Sequence, residues 1–110
     1  MDLVVGVYGL VGRLPLSEQY GLTSQLRRAV VSVPANIAEG FGRWHVKEFI
    51  RFLLVANGSA KEVETHLLIA TRLGFLKLAH IESPMRATEE ISKMIFALRD
   101  KLSKRAALIL

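Results

Sequence analysis

The sequence predicts an all-α protein that folds as an antiparallel up-and-down four-helix bundle. Apolar residues recur at steps of three and four in four separate blocks, and no block alternates between apolar and polar residues as a strand does. The blocks are joined by short connections, which place consecutive helices antiparallel to each other. A chain of 110 residues has room for one modest core, so we expect residues 1–110 to form a single bundle domain.

The first two helices are bounded by proline and glycine. The first block covers about residues 2–13 and ends before Pro15. The second block carries an apolar row along residues 22–41 and ends at Gly42. Pro34 lies inside this second block and removes one helix hydrogen bond, but the apolar row continues through it. We therefore expect a kinked helix and not a break.

The third block is the longest and is apolar along two edges. The first edge faces the bundle. The second edge consists of Ile50, Leu54, Leu68 and Ile69. Because a helix with two apolar edges has more apolar surface than one bundle covers, we expect the second edge to contact another subunit.

The fourth block is predicted to begin at Ser83, because serine is a favoured N-cap and Pro84 then occupies the first turn. Its last turns contain Lys101, Lys104 and Arg105, and cations at that position suit the negative end of the helix dipole.

The composition points to self-association and to an anionic partner. Hydrophobic residues make up 51% of the chain, more than a small bundle easily buries. Fifteen Lys and Arg against ten Asp and Glu give a formal charge of +5, which favours RNA, DNA or acidic membranes as partners. The chain has no cysteine and no apolar run long enough to span a membrane. The apolar opening lacks the basic lead of a signal peptide, so we expect a cytoplasmic protein without membrane contact.

Catalytic and metal-binding patterns are absent from the sequence. Di-iron bundles need Glu-x-x-His on two helices, whereas Glu62 and His66 form a single pair at a spacing of four. Neither a nucleophile elbow nor a phosphate-binding glycine loop is present. We therefore expect a protein that is not an enzyme and that needs neither a metal nor a cofactor.

A basic stripe is the strongest candidate for function. Arg43, Lys47 and Arg51 are spaced by four and should line one face at the start of the third helix. Arg27 and Arg28 on the second helix are expected to extend this basic face. Such clusters bind phosphates, and an exposed aromatic residue such as the neighbouring Trp44 can stack on an unpaired base.

Two other interpretations of the polar residues compete with that hypothesis. The charge pattern by itself favours a solvated face held by Glu39–Arg43 and Glu48–Arg51 pairs. Asn36 and Glu39 are flanked by core residues and are interpreted as structural. They would compensate for the hydrogen bond lost at Pro34 or pair with a neighbouring helix, with Arg27 or Arg28 as the partner of Glu39.

Several longer runs carry a resemblance to a known family. They are YGLTSQLRRA at residues 20–29, SVPANIAEGFGR at 32–43, KEFIRFL at 47–53, ANGSAKEVET at 56–65 and LGFL at 73–76. In type and spacing these runs resemble the 23S rRNA intervening-sequence family of four-helix bundle proteins, over about residues 18–100. Compared with that family the first helix looks short, and Pro84 falls where the family pattern continues as helix. The fourth helix is therefore expected either to begin late, at Ser83, or to carry a kink at Pro84.

The resemblance implies a small bacterial four-helix bundle without established catalytic residues. Related accessory proteins of diversity-generating retroelements form barrel-like pentamers with a basic surface, and they bind nucleic acid and a reverse transcriptase. The resemblance thus implies a homopentamer with RNA or DNA as partner. A protein-binding adaptor that recruits a partner such as a reverse transcriptase, without nucleic-acid contact, is the alternative.

Overall fold

The computed structural model describes the backbone of residues 1–109 and the side chains of residues 1–107. Within that range it contains four α-helices and no strand, which confirms the all-α prediction. The helices are α1 (Asp2–Val11), α2 (Leu22–Phe41), α3 (Val46–Arg72) and α4 (Leu78–Ile109), with a 3₁₀ turn at Leu16–Glu18 between α1 and α2. As predicted, α2 runs through Pro34 without a break.

Polar contacts show that neighbouring helices are antiparallel. Arg28 of α2 pairs with Glu62 of α3, and the hydroxyl of Ser32 hydrogen-bonds that of Ser59 at 2.8 Å. The α3–α4 contact is fixed in the same way by two bonds, Thr88 to Glu64 at 2.7 Å and Ser92 to Asn57 at 2.6 Å. In each pair of helices, the later residue of one helix contacts the earlier residue of the other, so the two chain directions are opposite.

The helices differ greatly in length, and this divides the bundle into two halves. At 1.5 Å per residue, the 10 residues of α1 span about 15 Å, whereas the 32 residues of α4 span about 48 Å. The main core contains α1 residues such as Val7, packed with Leu26, Val30 and Leu67. A second cluster is built around Leu53, Ala56 and Ile95 and contains no residue of α1. That half of the molecule is a three-helix structure.

Of the two alternatives for the fourth helix, the start at Ser83 is wrong, because α4 begins at Leu78 and continues through Pro84 in its second turn. The side chain of His80 accepts a hydrogen bond from the backbone N–H of Lys77 at 3.0 Å. This reproduces the backward bond of a capping box, in which the third helical residue satisfies the N-cap donor. Burial of Ile81 in the main core adds the packing that holds this early turn.

The predicted apolar row of α2 is buried except at its end. Leu22, Leu26, Val30 and Val33 are buried, whereas the Phe41 side chain is 79% exposed. Phe41 lies at the last turn of α2, in the half of the bundle that α1 does not cover. Its ring meets the ring of Phe49 edge-on, with a centroid separation of 6.1 Å.

Candidate nucleic-acid interface

Three of the predicted basic residues meet where α2 turns into α3. We call residues 39–52 the corner. Arg43 lies in the connection between the helices, not on the third helix as predicted, while Lys47 and Arg51 occupy the first turns of α3. The guanidinium carbons of Arg43 and Arg51 lie 5.1 and 4.5 Å from the centroid of the Phe52 ring. Both guanidinium groups are thus held beside one aromatic ring, a geometry that favours cations.

Each of these arginines also has an acidic partner. Arg43 pairs with Glu39 at 2.5 Å, and Arg51 pairs with Glu48 at 2.9 Å. These are the pairs that the solvated-face interpretation predicts. All four side chains are about half exposed, and exposed pairs of this kind contribute about 0–1 kcal/mol each. A phosphate group that approached the corner would therefore compete with these carboxylates at low energetic cost.

The cations of the corner lower the pKa of one carboxyl group, that of Glu48. The hydrogen bond from Arg51 is the main cause that lowers the pKa of Glu48 below its ordinary value. Desolvation, the second-largest influence, raises the pKa of Glu48, and the charges of Arg51, Arg43 and His45 lower it. The surroundings of Glu48 thus stabilise negative charge.

Trp44 is the most unusual side chain of the corner. It is 97% exposed, although large aromatic residues are normally at least partly buried. It lies in the connection directly after Arg43 and three residues before Lys47. An exposed indole flanked by cations can stack on a base while the cations contact the adjoining phosphates.

The other two predicted basic residues do not belong to this group. Arg28 precedes Arg43 by 15 residues, and at the rise of an α-helix this separates them by about 22 Å along the axis of α2. Arg28 bonds to Glu62 and to Gln25, and the Arg27 guanidinium lies 5.7 Å from the ring centroid of Tyr8 on α1. The five residues therefore form two separate groups at opposite halves of the bundle.

The two residues interpreted as structural behave differently from each other. Asn36 donates to the carbonyl oxygen and to the hydroxyl of Ser32, both at 2.8 Å, and the Ser32 hydroxyl continues to Ser59 on α3. Asn36 therefore supports the α2–α3 contact through Ser32, and it does not bond to the Val30 carbonyl that Pro34 leaves without its usual donor. Glu39 is exposed and pairs with Arg43 instead of Arg27 or Arg28.

Comparison with known proteins places the chain in a family. The family model described as 23S rRNA-intervening sequence protein matches residues 1–97. The chain belongs to this family. This match confirms the family resemblance that was inferred from the sequence. The corner lies inside the matched residues, whereas the last turns of α4 lie beyond them.

A solved structure shows the same fold. It is a crystal structure at 1.70 Å resolution of a protein of unknown function from the S23 ribosomal protein family of Bacteroides thetaiotaomicron VPI-5482. Its sequence is 26% identical to this 23S rRNA-intervening sequence protein, over 89% of this chain and 92% of the other, with a TM-score of 0.80. No curated protein matches the sequence.

The described part of this family member has neither a cluster of metal ligands nor a membrane-spanning helix. Among the residues that the structure describes, no three His, Asp or Glu side chains are grouped as metal ligands would be. Glu62, half of the lone Glu–His pair, instead bonds to Arg28. No helix within the described range combines the length and the apolar character needed to cross a membrane.

Proposed function

We propose that this 23S rRNA-intervening sequence protein is a non-catalytic, self-associating cytoplasmic protein that binds single-stranded nucleic acid, RNA in particular, through the corner. The observation that carries the proposal is the 97% exposure of Trp44 next to Arg43, Lys47 and Arg51. The indole would stack on one unpaired base. The three cations would contact the phosphates on either side of that base.

Single strands fit this site better than duplexes. A base inside a duplex is already stacked on both faces and offers no free face to Trp44. The name of the family refers to sequences that intervene in 23S ribosomal RNA, which makes RNA the first ligand to test. Binding of this kind needs only cations and an aromatic platform, so it calls for no catalytic group.

The first test measures affinity for a fluorescein-labelled single-stranded RNA by anisotropy between 50 and 300 mM salt. Replacement of Arg43, Lys47 and Arg51 by alanine is expected to weaken binding at least about tenfold at low salt. It should also reduce the slope of log affinity against log salt by about 2, since each phosphate contact on a single strand contributes about 0.7. Absence of binding by the unmodified protein at 50 mM salt would contradict the proposal.

A control variant removes the same charge from the other end of the bundle. Arg13, Arg72 and Lys77 are exposed and lie near the end of α1, the end of α3 and the start of α4. Their replacement by alanine should change affinity by less than about twofold. If both triple variants lose affinity equally, binding depends on net charge alone and the corner is not the site. Trp44 is the single tryptophan of the chain, so quenching of intrinsic fluorescence reports directly on stacking at the corner.

Self-association is supported by the outer face of α3. Leu54, Val55, Leu68 and Ile69 are each between 42% and 46% exposed. The two pairs lie about 21 Å apart along this surface of α3, and the polar residues Lys61 and Thr65 lie between them. Together with the family resemblance, this surface supports a homopentamer in which α3 contacts neighbouring subunits.

Light scattering tests this part of the proposal. The unmodified protein is expected to have about five times the monomer mass, and Leu54→Asp with Leu68→Asp should lower the subunit number. Leu16→Asp with Leu78→Asp is the matched control, because these leucines are exposed but lie away from α3. A monomeric unmodified protein would refute the assembly and would favour the adaptor function, in which the same apolar face recruits a different protein.

A further inference from the structure

The end of the bundle opposite the corner exposes several large apolar side chains. This end is closed by two connections, residues 12–21 between α1 and α2 and residues 73–77 between α3 and α4. Leu14 and Leu76, one from each connection, are buried in the main core together with Leu22, so the two connections lie close to each other. We call residues 12–21 and 72–78 the tip. Its exposed apolar residues are Leu16, Tyr20, Leu73 and Leu78.

Backbone hydrogen bonds hold these side chains in solvent. In the first connection, the N–H of Gln19 donates to the carbonyl oxygen of Leu16 at 3.0 Å. In the second connection, the N–H of Phe75 donates to the carbonyl oxygen of Ala70 at 2.9 Å, and Gly74 supplies the positive φ that this helix end requires. The four apolar side chains of the tip are between 59% and 89% exposed. A partner would therefore meet an apolar surface that is already ordered, which lowers the entropic cost of binding.

The cations of the tip have no acidic partners. Arg13, Arg72 and Lys77 are exposed, and none of them pairs with a carboxylate among the side chains that the structure describes. Glu18 is the single acidic residue of the tip, and its carboxylate accepts a hydrogen bond from the N–H of Leu22 at 3.1 Å. The tip thus offers three unpaired positive charges around its apolar side chains.

A pocket beside Leu16 makes one side of the tip concave. It has a volume of about 300 Å³ and lies between the end of α1, the first connection and the first turns of α2. Pro15, Leu16 and the buried Thr23 line it together with Arg27, whose guanidinium carbon lies 5.7 Å from the ring centroid of Tyr8. Such a pocket can receive one side chain of a partner, with a cation beside it.

We propose that the tip binds a short segment of a partner protein that is rich in acidic and large apolar residues. One apolar side chain of the segment fills the pocket beside Leu16, and others pack on Leu73 and Leu78. Carboxylates of the segment pair with the three cations of the tip. The bundle measures 23 by 19 Å across, a distance that about 7 residues of an extended segment or about 15 residues of a helix span. The inference does not rest on nucleic-acid binding, because the tip and the corner lie at opposite ends.

Other occupants match the tip less well. A nucleic acid would neutralise the cations but leave the exposed leucines without apolar partners. A flat membrane surface would leave the pocket beside Leu16 empty. Two tips of this chain would bring the same positive charges together, and like charges across an interface oppose association.

A peptide selection tests the inference. A displayed library of random peptides of about 15 residues is selected on the immobilised unmodified protein, and enriched peptides are synthesised with a fluorescein label. We expect them to carry a net negative charge and at least about two large apolar residues each. By anisotropy at about 50 mM salt, Leu16→Ala with Leu78→Ala should weaken their binding at least about tenfold. Joint replacement of Arg13, Arg72 and Lys77 by alanine should have an effect of similar size.

Two matched variants control for loss of apolar surface and of charge. Val5→Ala with Met94→Ala removes exposed apolar groups away from the tip, and replacement of Lys101, Lys104 and Arg105 by alanine removes three exposed cations from the last turns of α4. Both should leave peptide binding within about twofold. Equal losses in the two triple variants would show that net charge alone attracts the peptides and would overturn the inference. A selection that yields no peptide sensitive to the tip variants would overturn it as well.

Three further readouts identify a different occupant. The unmodified protein should not float with vesicles of phosphatidylcholine and phosphatidylserine at about 3:1, and Leu16→Ala with Leu78→Ala should leave the subunit number unchanged. Flotation that this double variant abolishes would assign the tip to a membrane, and a lower subunit number would assign it to a second copy. RNA affinity that falls only when the tip cations are replaced would assign it to nucleic acid. Each of these results would overturn the inference.

Discussion

Leu67→Ala is expected to lower the free energy of unfolding by about 3–5 kcal/mol. Leu67 has no exposed surface and lies in the main core with Leu26, Val30 and Val63. Truncation there removes buried methyl groups and leaves a cavity that a tightly packed bundle fills only in part. Urea denaturation followed by circular dichroism at 222 nm is the appropriate measurement. Trp44 fluorescence is a poor reporter of unfolding because the indole is already 97% exposed in the folded protein.

The adjacent leucine provides a matched control for this substitution. Leu68 has the same chemistry and the same helical neighbours, but it is 46% exposed on the outer face of α3. Leu68→Ala should cost less than about 1 kcal/mol when the protein is dilute enough to be monomeric. Equal losses for the two variants under that condition would contradict the assignment of the inner and outer faces of α3. A loss for Leu68→Ala that appears only at high protein concentration would agree with self-association through α3.

Gly40→Ala is expected to destabilise the protein by about 1–3 kcal/mol, although alanine is the better helix former. A Cβ atom at position 40 would lie 2.7 Å from the Cβ of Phe52 and 3.2 Å from the backbone oxygen of Phe49. Neither of these atoms is at the flexible end of a side chain. The α2–α3 contact would therefore have to separate, and overpacking of this kind outweighs the gain in helix propensity.

Gly58→Ala is the opposite case and should stabilise the protein by about 0.5–1 kcal/mol. Gly58 lies in the middle of α3, and a Cβ there would meet no atom within 4 Å. The substitution then contributes only its effect on helix propensity, provided that position 58 stays exposed in the assembled protein. Thermal denaturation of both glycine variants should show Tm changes of opposite sign. A rise in Tm for Gly40→Ala would contradict the close α2–α3 approach.

The helices themselves were largely predictable, and the exception has a local cause. Apolar periodicity identified the bundle-facing rows, because one buried stripe is what each amphipathic helix needs in order to pack. The start of α4 was missed because Ser83-Pro84 is a typical helix start in isolation. The actual N-terminal bond comes from His80, a residue type seldom considered for that role, and the early turn also depends on burial of Ile81 in the main core.

The candidate site was only partly predictable. Spacing by four residues correctly brought Lys47 and Arg51 to one region, and Arg43 joined them from the connection that precedes α3. The prediction that Arg27 and Arg28 lie beside this group was wrong, because Arg43 follows Arg28 by 15 residues, most of them in α2.

By itself, the sequence determined the properties that depend on residue type and short-range spacing. These are the all-α class, the positions of the buried stripes, the family and the excess of positive charge. The tertiary structure alone decided where that charge lies. The antiparallel register set by Ser92 and Asn57 carries the end of α4 back to the corner. This register depends on contacts between residues far apart in the chain, and local periodicity contains no information about such contacts.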